Sequence, residues 1–517
     1  MSKKRNRIFT VIDIGSLAIS MKIFQLSSQK ESIPIEVESV RSYFPLGTQT
    51  YRNGVLSPEQ VSTVCEILKG FCRKNDEYKA EFCICVATSA FREAKNQDYA
   101  VERIRLRTGL QVVILNNSME RFYRNLYVKM TVPSFREMSG SGTVLLDIGA
   151  GSIQSTVYNE ASFMFSQNML LGPLRIEDIY SGLERDSNRA EQILEEYISL
   201  VFEDYHAIAP KGVNYTHLIV FGEETGFMKQ ILKHEPGTYS QLTNEEFLLF
   251  YDIIRKLTPD ELVLDYNIPF STAALLWTSA LLVKKMLEYG GFKHIHLPNV
   301  SLCDGIAYHF AAENNDIKLP FRSSEDILNA ARNMGKRYRY DRKHSERVRL
   351  IAAEIFVNTT KFHGLSNRDG LLLEIAAILY EVGKHIQVSN YNRRSFHIIN
   401  TTEILGIDRH EQEIIAYIAG LCNHQSLYDD LEYQNLQPDK KMLISALTSI
   451  LRLADALEAS RRQRIQSVHI LMDENQFQIV CEHTEDISYE CWEFDHKKDL
   501  FCEVFGVMPV LKTRRIS

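Results

Sequence analysis

The sequence predicts an α/β protein of two related lobes, followed by an all-α domain and a small α+β tail. Short strands alternate with helices from Arg7 onwards, which is typical of α/β folds. An apolar strand that ends in an aspartate and a glycine turn occurs twice, around Asp13 and Asp147, and this repeat indicates two lobes of one kind. After about Asn315 helical patterns dominate, and 517 residues exceed a single hydrophobic core. We place the four parts at residues 1–128, 129–315, 316–464 and 465–517.

The elements of the first lobe follow from the spacing of its apolar residues, with a period of two for strands and helical spacing for helices. Ser57-Pro58 opens a long helix, because serine caps a helix and proline suits its first turn. The other predicted elements are strands at Ile8–Ile12, Ile19–Leu26, Phe82–Val86 and Val112–Leu115 and a helix at Tyr99–Arg107.

The same alternation resumes in the second lobe and ends before the helical region. Its predicted elements are strands at Thr143–Leu146, Ser155–Tyr158 and His217–Phe221 and a helix around Ala190–Phe202. The tail begins with a hairpin of Ser467–Met472 and Phe477–Cys481, continues with an amphipathic stretch from Trp492 to Phe505, and ends in a strand at Val507–Leu511. Pro509 has no N–H to donate, so that last strand is expected at a sheet edge.

Composition and charge exclude several classes of protein. The chain has 59 Lys and Arg against 66 Asp and Glu, a net charge of −7, which argues against a chain-wide coat of nucleic acid. No apolar run approaches the roughly 20 residues that span a bilayer, so we expect no membrane association. Nine cysteines without a CxxC pair indicate reduced thiols rather than a disulfide framework. We therefore expect a cytoplasmic protein.

The two aspartate–glycine loops suit phosphate chemistry. Glycines allow several backbone N–H groups to converge on phosphate oxygens, and a hydroxyl such as Ser16 or Ser152 adds a donor. The aspartate can hold Mg²⁺ directly or through water. Either loop alone is most simply a tight turn, because such turns are common in hairpins. Two matched copies, each after a buried strand, favour a phosphate clamp.

Three ordered segments give the sequence a specific resemblance. They are Asp13 to Ser16 (DIGS), Ala87 to Asn96 (ATSAFREAKN) and Asp147 to Ser152 (DIGAGS). In this order they resemble the signatures of the exopolyphosphatase/guanosine pentaphosphate phosphohydrolase (Ppx/GppA) family. The resemblance implies two actin-like (ribonuclease H-like) lobes and, in long-form members, a helical domain similar to the HD phosphohydrolases.

The resemblance also implies roles for individual residues. Glu120 stands where the family has the catalytic glutamate that activates water, although a solvated helix-start glutamate is the plainer interpretation. Arg92 would bind phosphate, although a surface ion pair with Glu93 is the alternative. The implied phosphate-binding set is Gly15, Ser16, Arg92, Gly149, Ala150, Gly151, Ser152 and Gly222. The implied magnesium ligands are Asp147, Asp13 as the weaker one, and the position of Gln154.

Departures from the family pattern surround the same predicted cleft. They are Asn116-Asn117 for Ser-Gly, Leu17-Ala18 for Asn-Ser, Ala150 for glycine, Ile153-Gln154 for Thr-Glu, and Cys303 for arginine. Gln154 matters most, because an amide in place of a carboxylate loses a negative charge and should weaken a divalent-cation site. These departures put catalytic turnover in question.

The helical region has two features that could carry chemistry. Residues His344 and Asp455 match outer positions of an HD metal site, but Tyr380-Glu381 replaces the central His-Asp pair. We favour an empty site over a remodelled one built from His344, Glu381, His397, His424 and Asp455. A basic run from Arg332 to Arg349 is either a solvated helix face or the wall of a channel for a phosphate chain.

Two functions follow from the resemblance. The first is a magnesium-dependent phosphohydrolase that cleaves the terminal phosphoanhydride of polyphosphate or of guanosine pentaphosphate, with a role in the stringent response. The second is a catalytically weakened or inactive regulatory protein that binds polyphosphate or a guanosine penta- or tetraphosphate. In both cases we expect a homodimer, and neither nucleic acid nor a membrane as partner.

Overall fold

The computed structural model describes residues 7–26, 33–182, 187–234, 239–314, 317, 319, 321–423, 427, 430–473 and 476–516. The chain divides into two compact units, Met1–Ser323 and Ser324–Ser517. The finer division into four parts stays a prediction.

The first sheet of the N-terminal unit has five strands in the order β3-β2-β1-β4-β5. The strands are β1 (Arg7–Ile14), β2 (Ala18–Leu26), β3 (Ile35–Tyr43), β4 (Phe82–Ala87) and β5 (Val112–Ile114). Strands β1 and β2 form an antiparallel hairpin, and β4 lies parallel to β1 on its other side. The predicted strands of the first lobe are confirmed, and β3 is an additional edge strand.

The second sheet repeats this arrangement and adds one strand. Its order is β10-β11-β9-β6-β7-β8, with β6 and β7 as the antiparallel hairpin and β9 parallel to β6. The strands are β6 (Thr143–Ile148), β7 (Ile153–Asn159), β8 (Ser162–Met169), β9 (His217–Gly222), β10 (Tyr239–Leu242) and β11 (His294–Pro298). The sequence repeat around Asp13 and Asp147 is therefore a repeat of topology.

Thirteen helices accompany these sheets within the described part of the N-terminal unit. They are α1 (Leu46–Asn53), α2 (Pro58–Glu77), α3 (Ser89–Glu93), α4 (Gln97–Thr108), α5 (Asn117–Thr131), α6 (Phe135–Met138), α7 (Pro173–Gly182), α8 (Ser187–Ile208), α9 (Thr225–Ile231), α10 (Asn244–Lys256), α11 (Pro259–Tyr266), α12 (Phe270–Tyr289) and α13 (Leu302–Glu313). Ser57 caps α2 through a capping box, as its sequence predicts. Helix α13 packs against β1, β2 and α5.

Helix α12 corrects one expectation from the sequence. Among the described residues it is the helix that is long and apolar enough to cross a membrane by length and composition. The sequence contains no uninterrupted apolar run at this helix, because Lys284 and Lys285 lie within it. Of its apolar window 61% is buried within the fold, as expected for a core helix.

The C-terminal unit is helical apart from a small sheet. Its helices are α14 (Ser323–Arg337), α15 (Arg342–Asn358), α16 (Thr360–His363), α17 (Asn367–Leu379), α18 (Tyr391–Thr401), α19 (Arg409–Leu421), α20 (Leu431–Gln434), α21 (Pro438–Ala456), α22 (Ser488–Lys497) and α23 (Asp499–Phe505). The sheet, in the order β12-β13-β14, consists of β12 (Ile465–Asp473), β13 (Gln476–His483) and β14 (Pro509–Arg515). The predicted helical character is confirmed, and β14 with Pro509 is an edge strand.

Candidate active site

The two aspartate–glycine loops adopt the same turn. In the first hairpin the N–H of Gly15 donates to the carbonyl of Ala18 at 3.0 Å, and in the second Gly149 donates to Ser152 at 3.0 Å. Both glycines stand where an added Cβ would crowd a backbone carbonyl, at 2.8 Å for Gly15 and 3.0 Å for Gly149. Each hairpin therefore places its aspartate two residues before a tight glycine turn.

Helix α5 brings a carboxylate and a guanidinium to these turns. The side chain of Asn116 caps the helix by accepting from the N–H of Met119 at 2.9 Å, which fixes the first turn. Glu120 and Arg124 lie four residues apart on one face, and Glu120 Oε1 accepts from Arg124 Nη2 at 3.4 Å. Arg124 Nη1 also donates to Asp147 Oδ1 at 2.8 Å. Glu120 is only 7% exposed, so it is not a solvated helix-start residue.

Burial dominates the electrostatics of this cluster. It raises the pKa of Asp13 to about 7, against the opposing effect of Arg124. It likewise raises the pKa of Asp147 to about 6, again opposed by Arg124. Burial would lower the pKa of Arg124, but Asp147, Glu120 and Asp13 together raise it above its usual range. Arg124 therefore stays charged, and both aspartates titrate near neutral pH.

Gln154 faces an arginine in this structure. It is the cross-strand neighbour of Asp147, and its Oε1 accepts from Arg121 Nε at 3.0 Å. Arg121 also donates to the hydroxyl of Ser166 at 2.6 Å and is only 3% exposed. The one oxygen of the Gln154 amide is thus engaged by a buried cation.

Ser16 belongs to a hydrogen-bonded group of hydroxyls. Its Oγ lies 2.6 Å from the Tyr51 hydroxyl and 2.7 Å from Ser89 Oγ, and it accepts from the N–H of Ala90 at 3.1 Å. The Tyr51 hydroxyl also sits against Gly151, where an added Cβ would lie 2.0 Å from it. Tyr51 therefore links the two glycine turns.

Apolar side chains pack beside the same turns. Leu17, Leu174 and Leu275 are buried together, with Tyr51 and Ala150 packed against them. Leu17 and Ala150 are two of the departures from the family pattern. The space between the turns is thus more apolar than the family pattern implies.

Two cavities meet at Asp13 and Arg124. The smaller, of about 60 Å³, is lined by residues of both turns and by Glu120, Asp147 and Gln154. A water molecule needs about 10–15 Å³ of such volume, so this space holds a few waters or one phosphate group. The larger, of about 630 Å³, has the size of a ligand pocket. Its lining includes Lys22, Arg41, Lys229, Glu223 and Gly222.

The structure brings most of the predicted site residues to one cavity. The smaller cavity is lined by Asp13, Gly15, Ser16, Glu120, Asp147, Gly149, Ala150, Ser152 and Gln154. Gly151 is absent from this lining, and its carbonyl accepts from Arg175 Nε at 2.6 Å, while Gly222 lines the larger cavity. Arg92 donates to Glu120 Oε2 at 3.2 Å and to the carbonyl of Leu115 at 2.7 Å.

Sequence reasoning missed three residues of this site and misjudged one pair. Arg121 and Arg124 follow Glu120 on the same helix, and the four-residue spacing from Glu120 to Arg124 was an available signal. Tyr51 could be found only from the fold, since it lies on α1, far along the chain from Gly151. The alternative pairing of Arg92 with Glu93 is wrong, because Arg92 contacts Glu120 and Glu93 pairs with Arg175.

The C-terminal unit contains a separate buried cluster. His344, Glu381 and Asp455 have ligand atoms within 4.8 Å of one another, the one such group found among the described residues. The Tyr380 hydroxyl lies between His344 Nε2, at 2.6 Å, and Asp455 Oδ1, at 2.7 Å.

Charges of the protein already balance this cluster. Lys497 donates to Asp455 Oδ2 at 2.7 Å, and Glu381 pairs with Arg461 and Lys384. Burial opposes ionisation of Asp455, but His344, Lys497 and Tyr380 hold its pKa well below its usual range. His397 is not part of the group, and His424 lies outside the described residues. The arrangement favours the empty site over a remodelled one.

Carboxylates and carbonyls engage part of the basic run from Arg332 to Arg349. Arg332 and Arg349 both pair with Glu346, and Arg347 donates to the carbonyls of Ile465 and Gln466. These contacts favour a structural role for those arginines over a channel wall.

The fold and the cleft define the class of the protein. Two lobes of one topology place matched aspartate–glycine turns and a buried glutamate around a phosphate-sized cavity. This is the actin-like α/β fold in the N-terminal unit. Residues 26–308 match the model of the Ppx/GppA phosphatase family, and residues 328–494 match that of Ppx/GppA phosphatase, domain III. The chain belongs to the Ppx/GppA phosphatase family.

Individual relatives agree with this assignment. A bifunctional 3-dehydroquinate synthase/phosphatase from Fusobacterium nucleatum is 24% identical over 233 residues, which are 43% of this chain and 34% of that protein. A guanosine-5'-triphosphate,3'-diphosphate pyrophosphatase from Pseudoalteromonas translucida is 21% identical over 479 residues, 89% of each chain. The chain thus spans about a third of the first relative and most of the second.

A solved structure supports the fold of the N-terminal part. The crystal structure of an exopolyphosphatase from Cytophaga hutchinsonii has a TM-score of 0.53 at 19% identity. The match covers 60% of this chain and 99% of that one. At this identity the likeness shows the fold alone.

Proposed function

We propose that the protein is a phosphohydrolase that releases the terminal phosphate of inorganic polyphosphate or of guanosine pentaphosphate. The observation that carries this proposal is the buried Glu120 at a cavity lined by both glycine turns. A carboxylate within hydrogen-bond reach of a water molecule is the requirement for a general base. The name of the Pseudoalteromonas relative supports a guanosine phosphate as substrate, and the resemblance of the sequence motifs supports polyphosphate.

The reaction needs positioning and charge more than covalent chemistry. Water attacks the terminal phosphorus in line with the bridging oxygen, and Glu120 accepts its proton. The bond from phosphorus to the bridging oxygen breaks, and that oxygen keeps the electron pair. Arg92 holds the Glu120 carboxylate at 3.2 Å and so orients it toward the cavity. Backbone N–H groups of the two turns would receive the phosphate oxygens.

The larger cavity supplies room for the rest of the substrate. Lys22 and Arg41 line it, each balanced by an acid, Asp304 for Lys22 and Glu223 for Arg41. Burial lowers the pKa of Lys229, a third cation in the lining. A cavity of about 630 Å³ can hold either a short phosphate chain or a nucleoside with its phosphates.

Magnesium is the cofactor that the family resemblance implies, and the described donors fit it poorly. Asp13 Oδ1 is buried and has no hydrogen-bond partner among the described residues, so this one oxygen suits a cation. The other predicted ligands are engaged, Asp147 by Arg124 and Gln154 by Arg121. Mg²⁺ demands near-octahedral oxygen ligands. The predicted ligands as the structure arranges them therefore do not form a magnesium site.

A regulatory protein that binds the same anions without turnover is the second candidate. The packing of Leu17, Leu174 and Leu275 beside the turns favours it, as does the engagement of Ser16 by Tyr51 and Ser89. In either case the proposed partner is a polyphosphorylated anion. Association of two copies stays a prediction.

Phosphate release separates the two functions. We would measure it from long-chain polyphosphate and from guanosine pentaphosphate for the wild type and for Glu120→Gln, with binding measured in parallel by calorimetry. Loss of the base should remove most turnover and leave affinity within a few-fold. Equal rates for the two proteins would show that Glu120 is not the base. Two inert proteins that still bind would establish the regulatory function.

A further inference from the structure

Arg124 is a permanent cation among the acids of the cleft. Its guanidinium donates to Asp147 at 2.8 Å and contacts Glu120 at 3.4 Å. The negative charges of Asp147 and Asp13 raise the pKa of Arg124. It is 15% exposed and lines both cavities. It therefore lies between the carboxylates and the space that a substrate would enter.

The neighbouring arginine, Arg121, engages the side chain at another predicted metal-ligand position. Arg121 is one helical turn before Arg124 on α5, and it engages the oxygen of Gln154, next to Asp147 on the paired strand. A divalent cation at Asp147 would lie beside both guanidinium groups. The positive charges of the metal and of the two guanidinium groups would repel one another strongly in this buried site. The described site thus supplies its positive charge from α5.

The guanidinium also suits the ligand. Arginine presents a planar array of N–H donors that matches phosphate oxygens. Arg124 Nε is buried and has no hydrogen-bond partner among the described residues, so the group has donor capacity left. Asp147 accepts from Arg124 Nη1 and Glu120 accepts from Arg124 Nη2, so neither acid alone uses all the donors of the guanidinium.

We propose that Arg124 is the resident cation of this cleft, in place of a divalent metal, and that phosphate groups bind there without magnesium. The proposal rests on the proposed function only for its second consequence, that hydrolysis also proceeds without magnesium. During hydrolysis Arg124 would neutralise oxygens of the terminal phosphate while water attacks phosphorus and loses its proton to Glu120. The bridging oxygen leaves with the electron pair of the broken bond, and no other reactant is needed.

Binding of tripolyphosphate by calorimetry, in EDTA and in millimolar MgCl₂, tests the first consequence. The wild type should bind in EDTA with an affinity within a few-fold of that in magnesium. Arg124→Gln should weaken binding in EDTA about 10- to 100-fold, as expected for a charged hydrogen-bond donor, and Arg124→Lys should recover part of the loss. Arg105→Gln, which removes an exposed arginine paired with Glu102, is the matched control and should bind as the wild type.

Metal binding gives a second readout that needs no turnover. Electron paramagnetic resonance of Mn²⁺ should show no site that depends on Asp147 in the wild type. Arg124→Gln should create such a site, and Asp147→Asn in the same protein should remove it. Comparison with Asp147→Asn also excludes signal from His344, Glu381 and Asp455. Wild-type binding that requires magnesium, or an Asp147-dependent Mn²⁺ site in the wild type, would overturn the proposal.

Phosphate release in EDTA separates this inference from the proposed function. Release by the wild type in EDTA supports both. Release only in magnesium overturns the inference and leaves the hydrolase. Binding in EDTA without release under any condition leaves the resident cation and removes the hydrolase.

Discussion

At the scale of single residues, the cleft depends on acids that the protein buries beside fixed cations. Glu120 contacts Arg92 and Arg124, so its carboxylate has a defined orientation. Asp13 and Asp147 have raised pKa values because burial outweighs the attraction of Arg124. Both aspartates were predictable from the repeated pattern of an apolar strand and a glycine turn, since each lies near the end of its strand. Glu120 was predicted only through the family resemblance. The position of Arg124 against Asp147 was not, because it depends on how α5 packs on a distant hairpin.

Replacing Arg92 with alanine should weaken substrate use. Arg92 donates to Glu120 at 3.2 Å and to the carbonyl of Leu115 at 2.7 Å, and the change removes both contacts. We expect KM to rise about tenfold, because the family resemblance implies that Arg92 binds phosphate. We expect kcat to fall as well, because Glu120 loses a positioning contact. Steady-state phosphate release measures both constants. The exposed Arg105, changed to alanine, is the control; an Arg92→Ala enzyme with unchanged constants would contradict the assigned role.

The raised pKa of Asp13 should make stability depend on pH in a defined direction. Its pKa rises from 3.8 to about 7 in the folded protein, so the folded state binds the proton more tightly. Between these values the contribution of Asp13 to stability falls as pH rises. The Tm of Asp13→Asn minus the Tm of the wild type should therefore increase from pH 5 to pH 8. Thermal melts check this, with the exposed Asp98→Asn as control, and a constant difference would refute it.

At the scale of elements, two hairpins of equal geometry carry the cleft. The glycine turns were predictable because strand, aspartate and glycine follow one another in the sequence. Strands β3, β8, β10 and β11 were missed. The first three are edge strands, which have one unpaired side and need no continuous apolar run. Strand β11 is interior, but its five residues His294–Pro298 include two histidines and a proline, so they form no apolar run. The link between the turns through Tyr51 was also missed, because it joins side chains from separate elements.

Gly172 should be indispensable to the second turn. A Cβ at this position would lie 2.2 Å from the carbonyl oxygen of Ala150 and 2.2 Å from the carbonyl carbon of Gly151. Backbone atoms cannot move aside as a flexible side chain can, so Gly172→Ala should cost roughly 1–3 kcal/mol. We expect a Tm lower by a few degrees and weaker phosphate binding. Gly140→Ala, where a Cβ meets nothing within 4 Å, should change neither.

At the scale of the whole molecule, the chain consists of two compact units that both match the family. The alternation of strands and helices predicted the first unit, and helical spacing predicted the second. The four-part division rested on changes of pattern along the sequence and stays a prediction. Helix α13 shows a feature that such changes do not reveal. It follows the second sheet in sequence, yet it packs against β1 and β2 of the first. Contacts between distant segments decide such boundaries.

Hydrolysis in H₂¹⁸O tests the proposed reaction, in which a water molecule activated by Glu120 attacks the terminal phosphorus. With guanosine pentaphosphate or polyphosphate as substrate, mass spectrometry of the products locates the label. We expect one ¹⁸O atom in each inorganic phosphate released, none in the shortened product, and little labelled phosphate from Glu120→Gln. Label in the shortened product, or equal release by the two proteins, would contradict it.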